Sequence, residues 1–196
     1  MPAPAWPLRT ERLVLRPFAA DDLEPLYAIY SDEGVARWLY NDPRSLEETR
    51  EQLARKVGGA SVRGEGEWLS AAAVLAETGE LVADVALLWA SETHRQGELG
   101  FVVHPAHQGK GYATEAARPL LAFAFETIGL HRVVGRLEPR NAGSARVLEK
   151  LGMRREAHLV ENEWVKGEWQ SELVYAILDR EWRDATAGGG DGDTRY

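Results

Sequence analysis

Apolar positions along the chain change period several times, and each change marks an element. From Arg12 to Phe18 they alternate as in a half-buried strand. Asp21 then opens a helix, with Glu24 three residues on as its capping-box partner, and Leu23, Leu26, Tyr27 and Tyr30 fall on one face. Ser45 and Glu48 repeat that pair ahead of a second helix carrying Leu46, Leu53 and Val57. The stretch from Gly58 to Gly66 reads as loop. Two strands follow near Trp68 to Leu75 and Leu81 to Trp89, joined at Thr78, Gly79 and Glu80 as a hairpin.

The strand at Glu98 to His104 runs straight into a helix. In that helix Ala113, Ala116, Ala117, Leu120, Leu121, Ala124, Phe125 and Ile128 recur at spacings of three and four, a continuous buried stripe. Pro119 falls off the stripe but inside the helix, where it removes a bond to the Glu115 carbonyl, so a kink or local loosening is expected there. Val133 to Glu138 is the next strand, Asn141 caps a helix running to Leu151, and Gly152 ends it. Arg154 to Val165 and Glu168 to Leu178 form a second hairpin, turning at Lys166 and Gly167. The pattern is that of a mixed α/β chain, a single domain over residues 1–184. Residues 185–196 are Gly- and Asp-rich without apolar period and are expected to be disordered.

Composition narrows the function more than the fold. The 196 residues, 44% hydrophobic, suit one ordinary domain, and the absence of cysteine removes disulfides and thiolate metal ligands. The N-terminus has no long apolar core of a signal peptide and no run is long enough to span a bilayer, so a cytoplasmic protein without a membrane partner is expected. A net charge of −8 argues against a nucleic-acid partner, which needs a clustered basic face, and suits a cationic or amine-bearing one. His104 and His107 are spaced H-x-x-H, but on a turn with no nearby carboxylate or cysteine in prospect, so no metal is assigned.

The candidate chemistry lies in ELGFVVHPAHQGKGYATEAA, Glu98 to Ala117. Gly109 and Gly111 remove Cβ atoms that would keep a ligand off the backbone, and the helix start beyond them offers unpaired N–H groups and partial positive charge, an anion cradle suited to a diphosphate. The loop is neither a Walker loop nor a dinucleotide fingerprint. Gln108-Gly109-Lys110-Gly111-Tyr112-Ala113 instead matches the [QR]-x-x-G-x-[GA] signature of the GNAT superfamily of acetyl-CoA-dependent N-acetyltransferases. TERLVLRPF, HP-x-x-QGKGYATEA and EPRNAGSARVLEKLGM, in that order, resemble its RimJ/RimL-like branch of ribosomal-protein N-terminal acetyltransferases, and the resemblance covers Leu8 to Trp182.

That resemblance implies an α/β (α+β) acyl-CoA N-acyltransferase fold, a mixed, mostly antiparallel sheet splayed between its fourth and fifth strands and flanked by helices. It implies acetyl-CoA as cosubstrate, without a metal. Backbone amides of Gln108, Gly109, Lys110, Gly111, Tyr112 and Ala113 would hold the pyrophosphate, with Lys110 adding charge. The backbone at Val102 and Val103 would pair with the pantetheine arm and supply an oxyanion donor, and Asn141 would bond the arm from the other side. Many relatives carry a tyrosine acid on the helix after the Asn. Here Leu148 stands in its place, and Ser144, in N-x-x-S, is the implied proton donor, with an N-terminal-turn backbone bond as its structural alternative. Glu163, in ENEWVKGEW, is the implied general base and Glu98 its rival. Val35 to Arg44, with Trp38 and Tyr40, and the turn bearing Trp164 and Trp169 are the expected acceptor walls.

The acceptor is expected to be a primary amine. A peptide N-terminus, with a reference pKa of about 8 against about 10.4 for lysine, places the smaller demand on a lone carboxylate base. A small-molecule amine such as an antibiotic or polyamine, and a non-catalytic acyl-CoA-binding sensor, remain open alternatives. Relatives of this branch suggest a homodimer.

Overall fold

The computed structural model describes residues 2–187. Its strands are β1 (Leu8–Arg9), β2 (Leu13–Arg16), β3 (Trp68–Leu75), β4 (Leu81–Ser91), β5 (Gln96–Val103), β6 (Arg132–Leu137), β7 (Arg154–Val165) and β8 (Glu168–Leu178). They form one sheet in the order β1-β2-β3-β4-β5-β6-β8-β7. Every neighbouring pair is antiparallel except β5 and β6, which run parallel.

That parallel pairing is short: Gln96, Gly97 and Glu98 face Arg132, Val133 and Val134, and there it stops. Beyond it β5 stays with β4 as far as Val103, while β6 stays with β8 as far as Leu137. The sheet therefore opens into a wedge between these two strands. They are the fourth and fifth of the sequence-predicted strands, displaced by one in number because the short Leu8–Arg9 strand precedes them. Gly97 allows the close approach at the base of the wedge, since a Cβ there would sit 2.6 Å from Leu130 Cδ1 and 2.9 Å from the Leu88 carbonyl.

Helices cover the two faces of the sheet. On one lie α4 (Tyr112–Ala122), α5 (Ala142–Lys150) and α6 (Asp179–Ala187), whose Ala116, Ala117, Leu120, Leu148 and Trp182 share a core with Leu99, Val133 and Ile177 of the strands. On the other lie α1 (Leu23–Tyr30) and α3 (Leu46–Val57), with the short α2 (Glu33–Ala36); there Leu26, Ile29, Tyr30 and Leu53 pack with Ala72, Val74 and Val102. Successive strand residues alternate faces, so Val103 joins the first core and Val102 the second. The second layer is pinned by charge: Asp84 of β4 accepts from the Tyr30 hydroxyl at 2.6 Å and meets Lys56 Nζ at 2.7 Å.

Several local expectations need correction. The Asp21–Glu24 capping box does not form. A single 3-10 turn, Ala20–Asp22, comes first, and Asp22 instead accepts the Ala19 N–H at 2.8 Å and a two-pronged pair from Arg16 at 2.7 Å. Ser45 and Glu48 do cap α3 reciprocally. The α4 helix passes through Pro119 to Ala122, and the loosening comes later, as π-type turns over Phe123–Ile128 that Gly129 ends at φ +77°. At the other end, α6 continues to Ala187, three residues into the segment expected to be disordered; residues 188–196 of that segment lie outside the described residues. Trp182 anchors this helix, packing against Phe125 and donating from Nε1 to Glu126 Oε1 at 3.1 Å, and within the added residues the Thr186 hydroxyl donates back to the Trp182 carbonyl at 3.0 Å.

α5 can lie close to β6 because Gly135 has no side chain: a Cβ there would come within 2.7 Å of both Leu148 methyls. Gly135→Val is expected to destabilise the protein by about 1–3 kcal/mol through overpacking, measured as a lower urea midpoint with an unchanged slope.

Candidate active site

The anion loop follows β5 directly. Pro105–His107 makes one 3-10 turn, in which His104 Nδ1 accepts the Ala106 N–H. Gly109 and Gly111 then take left-handed φ values of +76° and +85°, which only glycine adopts without strain. Gly111 is the N-cap of α4 and offers no side-chain cap, so the first-turn N–H groups are left to an outside acceptor. No atom lies within 4 Å of the position a Cβ on Gly109 would take, so the cradle is open on that side. His107, contrary to expectation, has a carboxylate partner: its Nε2 lies 2.8 Å from Glu80 Oε1 on the β3–β4 turn.

The wedge begins next to this loop. From Leu99 to Val103, β5 has β4 on one side and no strand on the other, so its backbone groups on that side face open space. Asn141, after β6, caps α5 by accepting the Ser144 N–H at 3.0 Å. Ser144 is half-buried and shares the α4–α5 face of the sheet; the helix-cap role of Asn141 is realised in the geometry, and Ser144 takes part in it through its backbone N–H.

The opposite face holds a cleft of about 110 Å3 over the same wedge, lined by Trp38, Leu39 and Tyr40 on one side and by Glu98, Arg136, Glu163 and Glu172 on the other. Both candidate bases, Glu98 and Glu163, thus meet in one place, although they come from strands far apart in sequence. The register explains it: Glu163 pairs with Gln170, on the same side of β8 as Glu172, after residues 160–162 bulge away from the ladder. Lys166 closes the arrangement by donating from Nζ to the Ala36 carbonyl at 2.6 Å, tying the β7–β8 turn over α2.

An ion chain crosses the wedge. Arg136 of β6 donates from Nη1 to Glu172 Oε1 at 2.6 Å and from Nε to Glu98 Oε2 at 3.3 Å. Glu172, almost wholly buried, also accepts from Asn162 Nδ2 at 3.2 Å. Burial, which outweighs the pull of Arg136, holds the Glu98 carboxyl above the usual carboxylate range, and Glu172 and Glu163 push the same way. Tyr40 is itself mostly exposed, but its phenol stands beside Glu163 at the rim of the cleft, and partial desolvation together with that carboxylate pushes its pKa well up.

Two members of this ion chain belong to no motif of the sequence. Arg136 and Glu172 are plain strand residues by pattern, and the signal that joins them is the register, since Arg136 on β6 pairs with Val174 and so has Glu172 of β8 as its diagonal neighbour on the same face. Trp38 and Tyr40 line the cleft. Trp164 and Trp169 do not: alternation turns them to the other side of the hairpin, where their rings meet edge to face at 5.4 Å and both are mostly exposed.

Residues 12–154 match the family model described as acetyltransferase (GNAT) domain. The chain is 30% identical to the uncharacterized N-acetyltransferase YnaD of Bacillus subtilis over 89% of its own length and 98% of that protein. Among solved structures, a GNAT-family acetyltransferase from Bacillus anthracis is 31% identical and superposes with a TM-score of 0.80, covering 88% of this chain and 98% of the other. The fold is shared also with a Vibrio cholerae spermidine N-acetyltransferase solved with CoA and spermine, at 22% identity and a TM-score of 0.75 over 89% and 99% of the two chains.

The ion chain makes a signed prediction. Arg136 is the group that draws the Glu98 pKa down, so Arg136→Met is expected to raise it further, with burial, Glu172 and Glu163 left unopposed. Titration of the Glu98 side-chain carboxyl by carbon NMR checks this, and an unchanged or lower midpoint would refute it.

Proposed function

This chain belongs to the GNAT family of acetyltransferases, and on that premise we propose that it acetylates a primary amine on a small molecule that carries at least one further positive charge, as a polyamine does. The observation behind this reading is the cleft, where Glu98, Glu163 and Glu172 converge around one guanidinium and beside the aromatic faces of Trp38 and Tyr40. Excess carboxylate with aromatic walls suits an alkylammonium chain.

The residues present fit an acetyl-CoA donor: two left-handed glycines, an uncapped helix start with open space beside it, and an unpaired strand edge leading to the cleft. When bound, acetyl-CoA supplies the activated acyl group and a thiolate leaving group. In this reading the amides of Gln108, Gly109, Lys110, Gly111, Tyr112 and Ala113 hold the diphosphate. The backbone at Val102 and Val103 and the Asn141 side chain hold the arm. An amine of pKa about 10 reaches the cleft as ammonium and must lose a proton before it can attack. Glu98, a stronger base than an ordinary carboxylate, takes that proton, with Glu163 as the second acceptor beside it. Ser144, on the opposite face of the wedge, would give a proton to the departing sulfur and regain one from the second proton the nitrogen loses as the amide forms, so that the net proton released is the one Glu98 takes.

A second reading is a peptide N-terminal α-amine. It is favoured by the Asn141-x-x-Ser144 spacing and by Glu163 in ENEWVKGEW, the features that resemble the RimJ/RimL-like branch. The carboxylate excess of the cleft is what sets the small cationic amine ahead of it.

Thiol release from acetyl-CoA separates the two when linear diamines and triamines, uncharged-tail monoamines and short peptides are compared. A triamine is expected to exceed a monoamine of equal length by at least about tenfold in kcat/KM, the worth of one added charge-assisted contact. Turnover on peptides alone would overturn the first reading. Glu98→Gln is expected to lower kcat by about 10²-fold or more and to remove the acidic limb of the pH–rate profile. Glu163→Gln is expected to act mainly on KM for the amine, and the reverse assignment of the two effects would make Glu163 the base.

A further inference from the structure

Thr10, Arg12 and Glu115 form a cluster outside the cleft, and it bears directly on the anion loop. Glu115 is the fourth residue of α4. Its Oε1 accepts from the Thr10 hydroxyl at 2.6 Å and from the Arg12 backbone N–H at 2.7 Å. Its Oε2 accepts from Arg12 Nε at 2.7 Å and meets Nη2 at 2.6 Å. The remaining arm of the guanidinium, Nη1, donates to the Lys110 carbonyl at 3.1 Å, and the group lies 4.6 Å over the Tyr112 ring. Each of the three guanidinium nitrogens of Arg12 thus has a partner on the loop or the helix behind it, although its side chain is 44% exposed.

Two consequences follow for an anion at the loop. In a trans peptide the carbonyl and the following N–H point in opposite directions. Holding the Lys110 carbonyl toward Arg12 therefore turns the Gly111 N–H away from Arg12. Glu115, in turn, places a carboxylate in the first turn of the helix whose N-terminus is the cradle. Such a charge favours the helix but opposes a bound diphosphate. The contacts from Thr10 and Arg12 outweigh partial burial and hold Glu115 ionised, below its ordinary pKa, so its charge persists and has to be balanced.

We propose that Arg12 is a positioning residue for the donor diphosphate, which it serves without needing to touch it, by fixing the Lys110–Gly111 peptide and by neutralising Glu115. The proposal rests on the reading of acetyl-CoA as donor. Arg12 joins the start of β2 to the loop, so the N-terminal strand and the donor site become one rigid unit.

The test is calorimetric titration of CoA into the wild type, Arg12→Ala, Arg12→Lys and the double variant Arg12→Ala with Glu115→Gln, with steady-state kinetics on the same proteins. Arg12→Ala is expected to raise the Kd for CoA by about tenfold and KM for acetyl-CoA with it, while kcat at saturating donor holds within about twofold. Arg12→Lys, which keeps the charge but loses the fork, should fall between. Removing the Glu115 charge in the Arg12→Ala background should recover part of the lost affinity, which a purely structural brace would not allow. Acetyl-pantetheine, a donor without the diphosphate, should show the same KM with Arg12→Ala as with wild type. A Kd for CoA within twofold of wild type in Arg12→Ala, or an equal loss with acetyl-pantetheine, overturns the proposal and leaves the donor reading standing. Failure of the wild type itself to bind CoA overturns both.

Discussion

The parallel pairing of β5 with β6 ends after Glu98 and Val134, and almost everything functional follows from where it ends. A parallel neighbour cannot be reached by a tight turn, so the chain crosses between the two strands through α4 and its π-type extension. The helix that makes the crossing therefore starts beside the open end of the wedge, and its N-terminus becomes the anion cradle. The register shift in β4 between Trp89 and Ser91 lies opposite Gly97 and Gln96, at the closed base of the wedge, and bulges of this kind add local twist. The result is an opening through the middle of a sheet whose other pairings are continuous enough to hold its rims in place.

The wedge is also what joins two separate chemistries. On the α4–α5 face it meets the loop, Asn141 and Ser144; on the α1–α3 face it meets the carboxylates and Arg136. Keeping charges in that second region costs stability unless each is paired. Arg136 meets the requirement for Glu172 and partly for Glu98, which leaves Glu98 above the usual carboxylate range and thus a better base. The wall opposite is carried by α2 and the segment after it. It is held by the Lys166 contact to Ala36 and, more deeply, by the Asp84 contacts to Lys56 and Tyr30 that fasten α1 and α3 to the sheet.

Features set by neighbouring residues could be read from the sequence. The two glycines with their positive φ, the Ser45–Glu48 box, the Asn141 cap and the Lys166–Gly167 turn all have local causes, and all are where the sequence puts them. What could not be read depends on pairing between distant strands. Trp164 and Trp169 look equivalent to Trp38 in sequence, but strand alternation, reset in β7 by the bulge before Glu163, puts this pair on the side of the hairpin away from the cleft. Glu172 is an ordinary strand glutamate until β6 brings Arg136 beside it. Asp21 and Glu24 have the spacing of a capping box, but the neighbouring Asp22 is drawn back to Arg16 and the Ala19 N–H, and a 3-10 turn forms in its place. The helix through Pro119 shows the same rule, because its apolar stripe is buried over its whole length and packing holds the turn that the missing N–H would loosen.

The central claim is that donor and acceptor meet through the wedge, one from each face of the sheet. A crystal structure with a bisubstrate adduct, CoA joined through an acetyl linker to the terminal nitrogen of a triamine, tests it most directly. The account predicts the diphosphate on the amides of Gly109 to Ala113, the linker between Leu99–Val103 and the β6 edge, and the amine chain among Glu98, Glu163 and Glu172. An adduct lying wholly on one face of the sheet, or with its amine chain away from those three carboxylates, would contradict it.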